Sequence, residues 1–156
     1  TGENATAIGG KASATSEGAQ ALGYQSNASG YQSNAIGWNA NATAADTVAL
    51  GTGSIASGNS AIAIGQNANA SELLSIALGK DSVAQGKISA AIGTEAKALG
   101  EESFAVGTQA KALGKYSTAL GNQSTADKEL DLAVGHTAIA SGGQSTAVGS
   151  SSKRNR

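Results

Sequence analysis

Ser60-Ala61-Ile62-Ala63-Ile64-Gly65 decides the fold, because its last five residues keep coming back. They return one period later as Ser75-Ile76-Ala77-Leu78-Gly79 and two periods after that as Ser103-Phe104-Ala105-Val106-Gly107. Read outward in both directions, the glycine recurs at Gly9, Gly23, Gly37, Gly51, Gly65, Gly79, Gly93, Gly107, Gly121, Gly135 and Gly149, fourteen residues apart with no insertion or deletion. The whole 156-residue chain is therefore one repeat array. Fourteen residues are too few for a helical-hairpin repeat and suit one turn of a β-solenoid.

The columns of the repeat assign its faces. The residue before each ladder glycine is always aliphatic, and the residue before that is always alanine, from Ala7 to Ala147. A second alanine column lies five residues after the glycine, from Ala14 to Ala140, and the column two residues before it holds only Ala or Ser. Side chains alternate across a strand. One strand is therefore expected within stretches such as 60–65 and a second within stretches such as 67–71. The Ala/Ser and Ala columns of the second strand share an interior face. Its intervening column, with Asn27, Asn41, Asn69, Lys97, Lys111 and Thr125, faces water. The ladder glycine begins a tight turn that calls for φ > 0 or a close backbone approach. The opposite turn carries Gly2, Gly30, Gly58, Gly86, Gly100, Gly114 and Gly142 but also Ser16, Ala44, Glu72 and Lys128, and reads as less constrained.

Both faces of the first strand are apolar, so both need cover. One closes the thin roll, and the other needs symmetry mates, for which closed cyclic assembly is the usual solution. Gln20, Asn34 and Phe104 share a face with the aliphatic column and fit poorly among alanines. This places on the oligomer axis Ile8, Leu22, Ile36, Leu50, Ile62, Ile64, Ile76, Leu78, Ile92, Phe104, Val106, Leu120, Leu132, Val134 and Val148. The reverse assignment, with the aliphatic face inside, is the alternative that the pattern leaves.

Composition narrows the function. Aromatics make up 3% and charged residues 13%, and cysteine is absent, which excludes a disulfide framework and a thiolate metal site. A net charge of −1 leaves no nucleic-acid footprint, and no apolar run is long enough to span a membrane. No signal peptide is seen, so the chain reads as a segment of a longer one. Lys11 is the only basic residue before Lys80, and the chain ends in the basic Lys153, Arg154 and Arg156. His136, the only histidine, reads as an exposed turn residue. Glu101, Glu102, Asp127, Glu129 and Asp131 lack a nucleophilic or basic partner and read as solvated corners, so no enzyme, metal site or cofactor is expected. No aspartate column supports calcium binding. The threonine file of Thr15 and Thr43 is interrupted at Gln85, Leu99 and Leu113, against ice binding. The Asn-x-Ser/Thr triplets at Asn4, Asn27, Asn41, Asn69 and Asn122 read as products of the repeat.

The run Ser60 to Gly65, followed by Ala68, Ala70 and the next cycle, resembles the head repeats of trimeric autotransporter adhesins, with their Ser-Val-Ala-Ile-Gly-x-x-Ser/Ala-x-Ala-x-Gly pattern. The likeness extends from Gly2 to about Ser150. It implies a left-handed parallel β-roll of about eleven turns, assembled as a homotrimer. It also implies a stalk and an outer-membrane anchor beyond this segment, on a bacterial surface. Residues 1–150 are thus expected to be head, and 151–156 the start of a neck. The implied activity is adhesion to host cell receptors or to matrix proteins such as collagen, fibronectin or laminin. The alternative is a structural spacer that projects another binding domain.

No ligand motif carries over with the resemblance, so candidate contacts come from the outer columns. Tyr24 and Trp38 share a turn column on successive rungs, with Tyr31 at the opposite corner; they are candidate ligand contacts or packing residues. Lys97, Lys111 and Lys115 are the second candidate group. Leucines in Glu72-Leu73-Leu74 and Lys128-Glu129-Leu130, and Ile88, are expected at protomer junctions.

Overall fold

The computed structural model describes residues 2–155; Thr1 and Arg156, the last of the basic terminal residues, lie outside the described residues. Strands alternate between two parallel sheets. The three-residue odd-numbered strands, from β1 (Thr6–Ile8) to β21 (Thr146–Val148), stack in sequence order as the first sheet. The two-residue even-numbered strands, from β2 (Ser13–Ala14) to β22 (Lys153–Arg154), stack as the second. Register never slips: β9 (Ile62–Ile64) sets Ala63 beside Ala77 of β11 (Ile76–Leu78). With adjacent strands about 4.8 Å apart, eleven rungs make a rod roughly 50 Å long. The strands occupy the middle of the stretches expected from sequence and are shorter, because a corner begins at once on either side.

The alanines are inside. From Ala21 to Ala140 every seventh residue is a fully buried alanine. The reverse assignment fails, since the aliphatic column before the ladder glycine is half-exposed or exposed along the whole rod. The structure also reveals a shorter period than the sequence reading used. Alanine recurs every seven residues from Ala7 to Ala147, so each turn is two similar halves. Ser75-Ile76-Ala77-Leu78-Gly79-Lys80-Asp81 is followed by Ser82-Val83-Ala84-Gln85-Gly86-Lys87-Ile88, and the two halves form the two sides of one rung. They differ where Leu78 faces Gln85 in the comparison, and that column makes the first sheet's outer face apolar and the second's mixed.

Nearly every half ends in a turn closed by an i→i+3 hydrogen bond, such as Ala61 N to Gly58 O (3.0 Å) and Ala68 N to Gly65 O (3.2 Å). The third residue of every turn, at each seventh position from Asn4 to Ser151, has positive φ. That is the type II geometry, which favours Gly or Asn. Here it also holds Leu74, Tyr116, Leu130, Thr137 and the β-branched Ile88 at φ 56°, side chains that the left-handed region disfavours. The turn amides also bond between rungs, as Asn67 N does to Thr52 O (2.9 Å), so the corners belong to the hydrogen-bonded wall.

Two features explain the glycines. The ladder glycines have φ of 118–137°, and a Cβ on Gly65 would lie 2.5 Å from the Gly79 carbonyl oxygen. The opposite corner is not less constrained, contrary to the sequence reading. A Cβ on Gly30, Gly58 or Gly114 would overlap the carbonyl of Ala44, Glu72 or Lys128 one rung on. Ser16, Ala44, Glu72 and Lys128 occupy this corner column one at a time, each with a glycine on the rung before and the rung after.

The roll also runs past residue 150, the expected end of the head. Ser151 makes the turn, and Lys153–Arg154 pairs in register with Ile139–Ala140. Ser152 keeps the Ala/Ser column and Lys153 the outer column, and only Arg154, in an alanine position, departs from the pattern.

Ala63→Leu is expected to cost about 1–3 kcal/mol, because the added methylenes have no space between the sheets. Gly58→Ala is expected to cost a similar amount, about 1–3 kcal/mol, by straining the corner. Thermal melting of both variants beside Ala44→Ser, expected to be near neutral, checks this.

Candidate functional site

The outer surfaces of the roll are the candidates. Among the described residues, no group of three or more His, Cys, Asp or Glu side chains is placed to hold a metal ion. His136 is exposed on its turn. Four of the five corner acids are exposed as well, but Asp131 is not.

Asp131 corrects the sequence reading: it is 1% exposed, in an interior column otherwise filled by Ala, Ser and Thr. Four hydroxyls in that column are satisfied by their own turn, whereas Ser89 Oγ and Ser103 Oγ are buried without a partner among the described residues. Ser33, Thr47, Ser75 and Ser117 donate to the carbonyl three residues back, at 2.6–2.8 Å. A carboxylate has no proton to give, so Asp131 reverses the arrangement. It accepts from Lys128 N (2.9 Å), Ser145 N (2.9 Å) and Ser145 Oγ (2.7 Å), tying its rung to the next. Burial pushes its pKa up. The bonds from Ser145, Lys128 and Gly143 more than offset this, and the net shift is below the ordinary 3.8. Only a partner one rung away revealed this role.

The outer face of the first sheet is an apolar stripe. Ile8, Leu22, Leu50, Ile64, Phe104 and Val148 are exposed there, with Ile8 at 58% and Val148 at 65%. Ile36, Ile62, Ile76, Leu78, Ile92, Val106, Leu120, Leu132 and Val134 are half-buried on the same face. An uninterrupted apolar stripe along a rod is a surface that protein monomers rarely leave open. At the corners, Leu73, Leu74, Ile88 and Leu130 are exposed in the single chain.

The aromatic candidates divide between two edges. Tyr24 and Trp38 project from the ladder-glycine corner, exposed by 47% and 58%. The Tyr24 ring lies close over Gly10 of the preceding rung, and Lys11 Nζ is 5.9 Å from its centroid. Tyr31 is exposed at the other corner, where its hydroxyl accepts from Gln32 Nε2 (3.1 Å). One chain therefore does not bring the three rings together.

The lysines divide as well. Lys115 sits at a corner, paired with Glu101 (3.0 Å) and 4.8 Å from the Tyr116 centroid. Glu101 first, then Tyr116, holds its pKa above the ordinary value. Lys97 and Lys111 are register partners on the outer face of the second sheet. They line a groove of about 370 Å³ with Glu95, Gln109, Gln123 and Thr125. A second groove, of about 300 Å³, lies among Gln25, Asn27, Asn39, Asn41 and Ile55. Sequence reasoning missed the side-chain ladders beside both. Asn27 Nδ2 donates to Asn41 Oδ1 (2.8 Å), Gln123 Nε2 to Gln109 Oε1 (3.0 Å) and Gln109 Nε2 to Glu95 Oε2 (2.9 Å).

Against this geometry the comparisons are specific. The YadA head domain repeat matches in overlapping segments that together cover residues 1–54 and 56–152. The chain belongs to the YadA head-repeat family. A solved structure, the collagen-binding domain of the Yersinia adhesin YadA, is similar over 100% of this chain and 78% of that one, with 27% identity and a TM-score of 0.60. No curated protein matches the chain. The family is that of an adhesin head, which turns attention from pockets to faces.

The lowered pKa of Asp131 makes a prediction with a definite sign. Its stabilisation is present above the unfolded value near 3.8 and is lost as pH falls through the lower folded value. Asp131→Ser, which restores the hydroxyl of neighbouring rungs, is expected to fold at neutral pH and to lose part of the acid-induced fall in melting temperature. Melting curves of both proteins across the acid range check it.

Proposed function

We propose that this chain is the head of a trimeric adhesin displayed on a bacterial surface, attaching the cell to host matrix proteins or host cell receptors. The observation that carries the reading is the first sheet's apolar outer face, repeated on every rung of a YadA-type roll. Three such faces around a common axis bury one another, and the second sheets and corners remain outside as three copies of one surface. The similar collagen-binding domain supports matrix protein, collagen included, as the ligand class. Binding of this kind spreads shallow contacts along the rod and gains from threefold avidity. The tyrosines and tryptophan of the first rungs are the proposed protein contacts, since aromatic side chains dominate binding hot spots. Display at the surface rests on a stalk and outer-membrane anchor supplied elsewhere in the full-length protein.

The assembly is tested by Ile64→Asp with Leu78→Asp. Each carboxylate would face its own symmetry copies, and a buried unpaired charge is strongly destabilising. Sedimentation is expected to show loss of the trimer; an unchanged trimer would refute the assembly. Adhesion is tested by solid-phase binding to collagen, fibronectin and laminin. Tyr24→Ser, Tyr31→Ser and Trp38→Ser together are expected to weaken binding by about tenfold or more while the trimer persists. A wild-type trimer that binds none of the matrix proteins or cell receptors would make the head a spacer.

A further inference from the structure

The second sheet carries one arrangement that neither folding nor the proposed matrix-protein contacts explain. Lys97 and Lys111 are aligned in register on adjacent parallel strands, with about 4.8 Å between rungs. Like charges placed directly opposite destabilise a sheet. Neither makes an ion pair among the described residues, where the ion pairs are Lys80 with Asp81 and Lys115 with Glu101. The nearest acid in the groove, Glu95, instead accepts from Gln109, and Gln109 accepts from Gln123. The amide ladder thus fixes one wall of the groove and ties Glu95 into it, and the two ammonium groups outnumber that single carboxylate. The groove of about 370 Å³ lies beside the two lysines, with Thr125, the register partner of Lys111, in its lining.

We infer that this groove binds an acidic polysaccharide, with the sulfate or carboxylate groups of successive sugars on Lys97 and Lys111. Charge complementarity supplies the anion. The wall supplies the rest: primary amides and a hydroxyl are donors and acceptors of the kind that pair with sugar hydroxyls. An acidic peptide fits less well. The backbone of the second sheet is already committed, Lys97 N to Ala110 O and Lys111 N to Ser124 O (both 2.8 Å), so the groove offers no strand edge for a peptide to extend. Two rungs on, the outer position becomes Ile139, and one rung before it is Val83, so the cationic segment is short and suits a few sugar units. The inference uses the proposed assembly only in keeping the second sheet on the outside.

The test is calorimetric titration of the trimer with a size-defined heparin oligosaccharide, beside neutral dextran and polyglutamate, at low and physiological ionic strength. Sedimentation of the same samples reports assembly separately. The wild-type protein is expected to bind the oligosaccharide and not dextran. Lys97→Gln with Lys111→Gln is expected to weaken binding by about tenfold or more, while Lys80→Gln with Lys87→Gln, an equal change of charge outside the groove, leaves it within about twofold. Lys97→Arg with Lys111→Arg, which keeps the charges, is expected to retain binding and guards against misfolding of the neutral variant. Amide shift changes are expected at Gln109, Gln123 and Thr125. Absence of heparin binding, or equal loss in the control variant, overturns the inference. Polyglutamate binding of equal strength that depends on Lys97 and Lys111 replaces the saccharide with an acidic peptide.

Discussion

Methyl groups set the distance between the two sheets. Ala63 and Ala70 sit on opposite walls of one rung, and their equivalents are fully buried along nearly the entire rod. So thin an interior limits what any rung gains by burying its own side chains, because alanine contributes little apolar area. Cohesion must therefore come from repetition: each rung bonds to the next all the way round, corners included. The glycine ladder is part of the same constraint, since rungs this close leave no place for a Cβ where the corner carbonyl of the following turn arrives.

The narrow interior also decides which polar groups are tolerated there. Serine is nearly as small as alanine, and its hydroxyl finds a carbonyl three residues back within its own turn. Most buried hydroxyls thus bring their own partners, the exceptions among the described residues being those of Ser89, Ser103 and Ser152. Asp131 keeps the size limit but reverses the direction of hydrogen bonding, and draws its donors from the turn before it and from Ser145 of the next rung. Large apolar side chains, excluded from the inside, gather mainly on the outer face of the first sheet. That is why a chain so poor in bulky residues still presents an apolar stripe.

Much of this was legible in the sequence. Gly65 and its equivalents set the period, and Ala63 beside Ile64 favoured the alanine side of the first strand as the inward one, which the burial of Ala63 then decided. Three things were hidden for physical reasons. Positive φ at Ile88 and Leu74 carries no local signature, because the stacked rungs impose the turn on residues that would not choose it. Burial of Asp131 runs against residue type, and its partners lie fourteen positions on. The separation of Lys115 from Lys97 and Lys111 depends on which side of a corner each falls, and Glu101, which occupies Lys115, is one rung away. Membership in the adhesin-head family was legible for the same reason as the fold: both reside in the columns.

The seven-residue half-turn gives the rod a grammar of length. Duplicating fourteen residues adds one rung, about 4.8 Å, and returns every column to its own face. Duplicating seven would carry all later residues to the opposite sheet, turning the apolar stripe outward partway along the molecule. Gene-level slippage can therefore lengthen or shorten such a head only in whole turns, so its reach from the cell surface changes in fixed steps while the surface it offers stays the same.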